Sequence, residues 1–317
     1  MPGGKGIRRA HFRAARSCFG ASVRDTVMNE LPPITIDPKT FLRRHCSLPA
    51  LPQALIEIQQ AIQSDQVSVA GIAAVIQKDP AMAAQVLKVV NSSYYSLPRE
   101  IIDVKLAVAY LGISEIYRIV LSMAVVNTLV ADRVTGFQKI WFHSLFTALC
   151  ARHLAKEFEP LLPSSELWVA ALLHDVGKLV YLKFFPDHFH AAITLCEEKG
   201  ILFREAEKAL DLPASATLGA LLCDHWQLPE PIRNACERHT LFDLPNLMGQ
   251  SEKDTFLRVI ALANILAVLS TDTLVDEKVG QLSRVVSKIL RLNESNFMLL
   301  MANVAELKLE AEAVGQP

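Results

Sequence analysis

The sequence predicts an all-α protein, an N-terminal helical bundle packed on a second helical bundle. Three observations carry this. Apolar residues recur at helical spacing along most of the chain. Period-two alternation of polar and apolar residues, the mark of a half-buried strand, is absent. Helix starts and stops are written in residues suited to them, such as Asp79-Pro80 at a start and Gly112 and Gly200 at stops.

In chain order, residues 1–40 read as a basic tail and linker. Residues 1–24 hold six Lys/Arg and no acid, and Pro32, Pro33 and Pro38 follow. The tail reads as an Arg-rich targeting peptide or basic arm, or as a disordered tail. A further reading starts the protein at Met28, which leaves residues 1–27 outside it. Folded structure is expected from about Phe41, with one helical block over 41–133. Leu48-Pro49 and Leu51-Pro52 enter a helix with Leu55, Ile58 and Ile62 on one face. Ser68 caps the next, with Ile72, Val75 and Ile76 inward. Asp79 at the N-cap and Pro80 at the first helical position open a helix burying Met82, Val86, Val89 and Val90. It stops at Asn91-Ser92-Ser93, before Tyr94-Tyr95. That cluster reads either as a docking surface or hinge, or as a helix stop whose tyrosines pack between helical blocks. Asp103 opens a helix ending at Gly112, and Ser114 with Glu115 opens another to about Val130.

Asp132 to Gly136 breaks the chain, and a second block is expected over 134–275. Trp141 to Phe158 is a long helix carrying His143. After a loop at Pro160 to Ser165 comes a central helix over 166–182. Pro186 leads into 187–199, which stops at Gly200. Short helices follow near 203–210 and at 215–226. Leu228-Pro229-Glu230-Pro231 starts the helix expected to hold His239. Residues 243–253 are a loop, and Phe256 to Leu269 is an apolar helix with one polar intruder, Asn264. Amphipathic helices at 276–292 and 294–312 form a C-terminal extension, residues 276–317.

Composition narrows the function. With 317 residues and a formal net charge of −1, the chain offers no electrostatic case for nucleic acid. The cysteines at 18, 46, 150, 196, 223 and 236 form no CxxC pair and no zinc spacing, and suit small core residues of a reducing cytoplasm. No charge-free stretch, Ile119 to Ala131 included, exceeds 13 residues, short of the roughly 18 a membrane span needs, so no membrane association is expected.

The functional expectation centres on Ala170 to Val180, AALLHDVGKLV. This apolar run carries His174, Asp175 and Lys178, and unpaired buried charge costs several kcal/mol, so such groups are paired or bind a metal. With His143 and a later acid, imidazole and carboxylate would suit Fe, Mn, Zn or Mg. Such a metal lowers the pKa of bound water and polarises phosphoryl oxygens. Lys178 is a candidate phosphate contact. The alternative is a relic polar cluster in which Asp175 accepts hydrogen bonds from the histidines and Lys178 pairs with a carboxylate.

His143 followed by HDVGK at 174–178 resembles the HD superfamily of metal-dependent phosphohydrolases, and more closely its HDOD branch. The residues carrying the resemblance are LPALPQAL at 48–55, IQKDPAMAAQVLKVVNSSYYSLP at 76–98 and LAVAYLG at 106–112. WFHSLFTALCARHLA at 141–155, AALLHDVGKLVY at 171–181 and HWQLPEPI at 225–232 extend it in the family's order. The resemblance implies an all-helical bacterial signalling module, usually without demonstrated catalysis. It also exposes departures. The family's fourth ligand, an Asp in a context like LADILA, is Asn264 in LANILA. A histidine of relatives that hydrolyse cyclic dinucleotides is Ser215, their paired histidine appears as Arg238-His239, and a following Gly-Tyr-Pro is missing. His239 and Asn264 read as buried or helix-borne side chains rather than ligands. The expectation is therefore a cytoplasmic regulatory protein that binds other signalling proteins, with no cofactor. One alternative is a phosphohydrolase or phosphodiesterase with a divalent metal on His143, His174 and Asp175. Another is a module sensing a nucleotide over Lys178.

Overall fold

The structure, a computed structural model, describes residue 34 and residues 50–64, 67–91, 95, 97–129 and 136–314. The basic tail, Phe41, the Leu48-Pro49 entry, Ser92 to Tyr94 and the break at 132–135 lie outside the described residues. Among the described residues the regular structure is helical and no strand occurs, as expected.

The first block contains α1 (Gln53–Gln63), α2 (Val69–Gln77), α3 (Pro80–Val90), α4 (Val104–Leu111) and α5 (Ile113–Leu129). Their starts follow the cap residues. Ser68 Oγ accepts from the Gly71 amide at 3.0 Å, and Asp79 Oδ1 from those of Ala81 and Met82 at 3.0 and 3.1 Å. Asp103 accepts from the Lys105 and Leu106 amides, both at 3.2 Å. Each cap satisfies amides that a helix start leaves without partners. Asn91 ends α3 and closes the turn beyond it. Its side chain donates to the carbonyls of Leu87 (2.9 Å) and Ile101 (2.7 Å) and accepts from the Ile101 amide (2.7 Å). Tyr95 donates to Glu115 Oε1 at 2.7 Å. Asn91 therefore acts as a helix stop, while the Tyr95 hydroxyl bonds within the first block rather than between blocks.

The second block contains α6 (Phe137–Phe158), α7 (Ser164–Leu173), α8 (Val176–Phe184), α9 (Pro186–Lys199), α10 (Phe203–Ala209), α11 (Ser215–His225), α12 (Glu230–Glu237), a 3-10 turn (Leu244–Leu247) and α13 (Glu252–Thr271). It is followed by α14 (Asp276–Leu290) and α15 (Glu294–Val314). Helix α6 packs against α7, α13 and α15; α8 lies on α11; α12 bridges α7 and α11. Helix α5 joins the blocks through α7 and α8, and Arg118 on α5 pairs with Glu115 (3.3 Å) and with Glu166 on α7 (3.2 Å). One apolar core runs from Leu55 through both blocks to Ala311. Helix α13 has the length and apolar character of a bilayer span, but it is packed against α6, α7, α12 and α15.

Two expectations are corrected. The central helix over 166–182 is two helices, α7 and α8, parted at His174-Asp175. The run is apolar on every face, so no change of periodicity marks the break. The second correction concerns His239, which is not on a helix. Helix α12 ends at Glu237, and the His239 ring folds back onto it.

Candidate functional site

The parting of α7 from α8 makes the site. Asp175 leaves helical geometry at φ −99°, ψ 16°, and the Lys178 amide donates to the Asp175 carbonyl at 2.9 Å. Gly177 lets this turn press against α11, because a Cβ there would lie 1.9 Å from the Ser215 carbonyl oxygen. His174 and Asp175 are thus presented at the start of α8, buried to 1% and 2% exposure.

Asp175 is the hub. Its Oδ2 lies 2.6 Å from Lys178 Nζ, 3.3 Å from His174 Nε2 and 3.4 Å from His143 Nε2, and its Oδ1 lies 3.3 Å from His239 Nε2. The backbone decides the ring protons. His174 Nδ1 is 2.6 Å from the Ala171 carbonyl, so it carries the hydrogen and Nε2 presents a lone pair to the cluster. His239 Nδ1 lies 2.9 and 3.0 Å from the carbonyls of Ala235 and Cys236, with the same result. Asn264 does the opposite for His143. Its Nδ2 donates to the His239 carbonyl (3.0 Å), which turns Oδ1 toward His143 Nε2, also at 3.0 Å. A carbonyl oxygen only accepts, so the neutral His143 ring spends its Nε2 hydrogen on Asn264.

Electrostatics follow from this packing. Burial, with help from the Lys178 charge, lowers the His143 pKa to about 3, and burial lowers that of His174 too. Both imidazoles are neutral at pH 7. Burial pushes the Asp175 carboxyl up, but the Lys178 ammonium, together with His174 and His239, more than offsets it and holds Asp175 well below the usual carboxylate range. In return Asp175 overcomes the burial of Lys178 and raises its pKa.

Whether a metal fits can be judged from the donor set. One ligand atom each from His143, His174 and Asp175 lie within 4.8 Å of one another. Tetrahedral ligands at zinc-like bond lengths lie about 3.3 Å apart, close to the observed contacts with Asp175. His174 Nε2 and Asp175 Oδ1 are buried without hydrogen-bond partners. Those atoms fit a cation. His143 fits only if Asn264 gives up its hydrogen bond, and Lys178 already supplies Asp175 with positive charge.

Above the cluster is a cavity of about 480 Å³, bounded by α6, α8, α9, α10, α13 and the segment after α12. His143, Asp175, Lys178, His239 and Asn264 form part of its lining. The structure therefore brings together every residue singled out in the sequence for the site. Sequence reasoning missed His239 as a member because its role depends on the chain folding back after α12. It also missed Glu207, a buried carboxyl that accepts from the Ser215 amide at 2.6 Å and whose pKa burial raises. Ser215 opens α11 on that bond. No local pattern announces Glu207. Cys223 and Cys236, expected as small core residues, are buried and meet at 3.6 Å, and Cys236 donates to the Leu173 carbonyl just before His174.

Comparison with known proteins identifies the family and the fold. A family model described as HDOD domain matches residues 48–242, more than half of the chain. An uncharacterized protein of Treponema pallidum (strain Nichols) is 25% identical over 266 residues, which cover 84% of this chain and 50% of the relative. The chain thus spans about half the length of that relative. Among solved structures, an HDOD domain protein with unknown function from Geobacter sulfurreducens superposes with a TM-score of 0.67 at 24% identity, covering 87% of this chain and 96% of that one. A Marinobacter aquaeolei VT8 protein provisionally assigned to signal transduction gives 0.63 at 21% identity, covering 92% of this chain and 64% of that one. A protein from Shewanella amazonensis SB2B, provisionally assigned as a phosphohydrolase, gives 0.63 at 21% identity, covering 86% and 96%. At these identities the structures establish the shared fold.

Proposed function

The chain belongs to the HDOD family, and from that premise we propose that it is a cytoplasmic bacterial signalling protein that acts by binding partner proteins and does not catalyse phosphoester hydrolysis. The observation that carries this reading is the bond from His143 to Asn264. Two positions that hold metal in catalytic members of the wider superfamily here satisfy each other. The Lys178 ammonium meanwhile compensates the charge of Asp175. A partner surface is available at α4, where Leu106 and Tyr110 are exposed at 38% and 56% one turn apart, with Ile102 exposed at 81% just before the helix.

A second reading is supported by the unpartnered His174 Nε2 and Asp175 Oδ1. In it His143, His174 and Asp175 hold a divalent metal, which would act as a Lewis acid toward a phosphoester. The test is elemental mass spectrometry with phosphodiester hydrolysis on the wild type, His174→Ala and Asn264→Asp. The first reading expects trace metal and no turnover in the wild type, and a gain of bound metal in Asn264→Asp, where a carboxylate replaces the amide. Stoichiometric metal with turnover in the wild type, both lost in His174→Ala, supports the phosphohydrolase instead.

A further inference from the structure

Helix α15 departs from the amphipathic pattern expected of it. Its neighbour α14 keeps that pattern: Leu282 and Val286 are buried while Gln281, Arg284 and Lys288 face solvent. Helix α15 buries Leu300, Val304 and Ala311 in the core, but its opposite face is also apolar. There Met298 and Leu309 are 64% and 66% exposed, with Ala302 and Ala305 exposed between them and Leu299, at 62%, on the flank. Spacings of four, three and four residues place Met298, Ala302, Ala305 and Leu309 in one line along the helix, the seam by which one helix pairs with another. The charged residues on either side of Leu309 turn back onto the protein, which leaves the line uncovered. Lys308 donates to the Ser270 carbonyl at 3.0 Å, and Glu310 lies 3.7 Å from Arg152.

The order of these residues points to the occupant. Large, small, small, large reads the same in both directions. A second copy of the helix laid antiparallel therefore sets Met298 on the partner's Leu309 and Ala302 on the partner's Ala305. Each contact then occurs twice, as an isologous two-fold interface requires. Charge selects the same direction. One step beyond the line at each end lie Ser295 and Glu312, both exposed. Antiparallel pairing brings Glu312 to the partner's Ser295, in the first turn of a helix, where the dipole favours an acid. Parallel pairing would set Glu312 on the partner's Glu312. Along the edges of the antiparallel seam Glu306 meets the partner's Leu299 and Lys308 the partner's Met301, so like charges stay apart. The area is modest. Helix α15 has 21 residues, so it is about 31 Å long. A third of its circumference, at a diameter of about 11 Å, is roughly 350 Å², and a pair buries roughly 700 Å², the size of a transient signalling contact rather than of a permanent dimer.

We propose that this protein forms a concentration-dependent two-fold dimer by antiparallel pairing of α15 with α15 of a second copy. The proposal is independent of whether a metal occupies Asp175. It bears on the cluster through position, because α15 packs on α6 and α13, the helices of His143 and Asn264.

Sedimentation equilibrium of the full chain from about 1 to about 200 μM reads the monomer–dimer equilibrium. The wild type should shift from monomer toward dimer across that range. Met298→Lys and Leu309→Glu, each alone, should weaken the dimer at least about tenfold. Both side chains are exposed in the single chain, so each variant should melt within about 2 °C of wild type at about 1 μM, where the chain is monomeric. The double variant Met298→Lys/Leu309→Glu fixes the direction. The two positions are three turns apart on one helix, so the introduced charges do not pair within a chain. Antiparallel pairing brings opposite charges together across the interface, and the double variant should dimerise more tightly than either single variant. Parallel pairing brings like charges together and makes it the weakest of the three. A wild type that stays monomeric at about 200 μM, or single variants that dimerise like wild type, overturns the proposal. A double variant weaker than both single variants overturns the antiparallel pairing and the proposal with it.

Discussion

Replacing Lys178 with methionine tests whether the Lys178–Asp175 pair is what keeps the cluster charged and folded. The carboxylate is 1% exposed and the lysine 19%, with 2.6 Å between them. Breaking a buried pair by removing one partner costs about 3–5 kcal/mol, because the other charge stays buried. For a helical body of this size that is a fall in Tm of roughly 6–20 °C. The pH dependence gives a second check. In the wild type the depressed pKa of Asp175 contributes stability above the unfolded value of about 3.9, lost as pH falls through the folded pKa. Without Lys178, burial governs and lifts the folded pKa above that value, so the ionised carboxylate becomes a cost that grows as pH rises from about 4. Wild type and variant should therefore differ most at pH 7–8 and converge toward pH 4–5. Calorimetric or circular-dichroism melts across that range decide it. A Tm within 2 °C of wild type at pH 7.5, or a gap that widens on acidification, refutes the argument.

Other predictions follow from the same geometry. Gly177→Ala places a Cβ 1.9 Å from a backbone oxygen of α11, and should destabilise by roughly 3 kcal/mol or more, read by urea denaturation; a cost under 1 kcal/mol would mean that α8 and α11 are not in backbone contact. Asn91→Ala removes three bonds that close the turn between α3 and α4. It should cost about 2–3 kcal/mol and speed hydrogen exchange at the Ile101 amide. His143 has a folded pKa of about 3 against about 6.5 unfolded, so the unfolded chain binds a proton first as pH falls. Its share of stability is complete above pH 6.5 and declines by up to about 1.4 kcal/mol per pH unit between 6.5 and 3. His143→Gln should flatten that part of the stability profile, and an unchanged slope would show that His143 is charged or exposed in the fold.

Much of this architecture was legible locally. Asp79, Asp103 and Ser68 start helices because their side chains reach amides two or three residues on, and Asn91 stops one by bonding the carbonyl four residues back. Those interactions span one turn, so the residues that make them are neighbours in sequence. The ordered motifs from 48 to 232 likewise pointed to the family whose model matches residues 48–242. His143, His174, Asp175, Lys178 and Asn264 could be marked because ionisable or amide groups in apolar runs require a reason.

Tertiary structure alone decided what those residues do. The helix break at His174-Asp175 is hidden in a run apolar on every face, and becomes visible only where Gly177 meets the backbone of α11. His239 enters the cluster because the chain turns back after α12, some 64 residues from Asp175. The ring protons of His174 and His239 are set by backbone carbonyls, and that of His143 by an amide 121 residues away. A sequence specifies helices through contacts three or four residues apart. Which side chains converge depends on how those helices cross, and that is fixed by packing between residues with no local relation to one another.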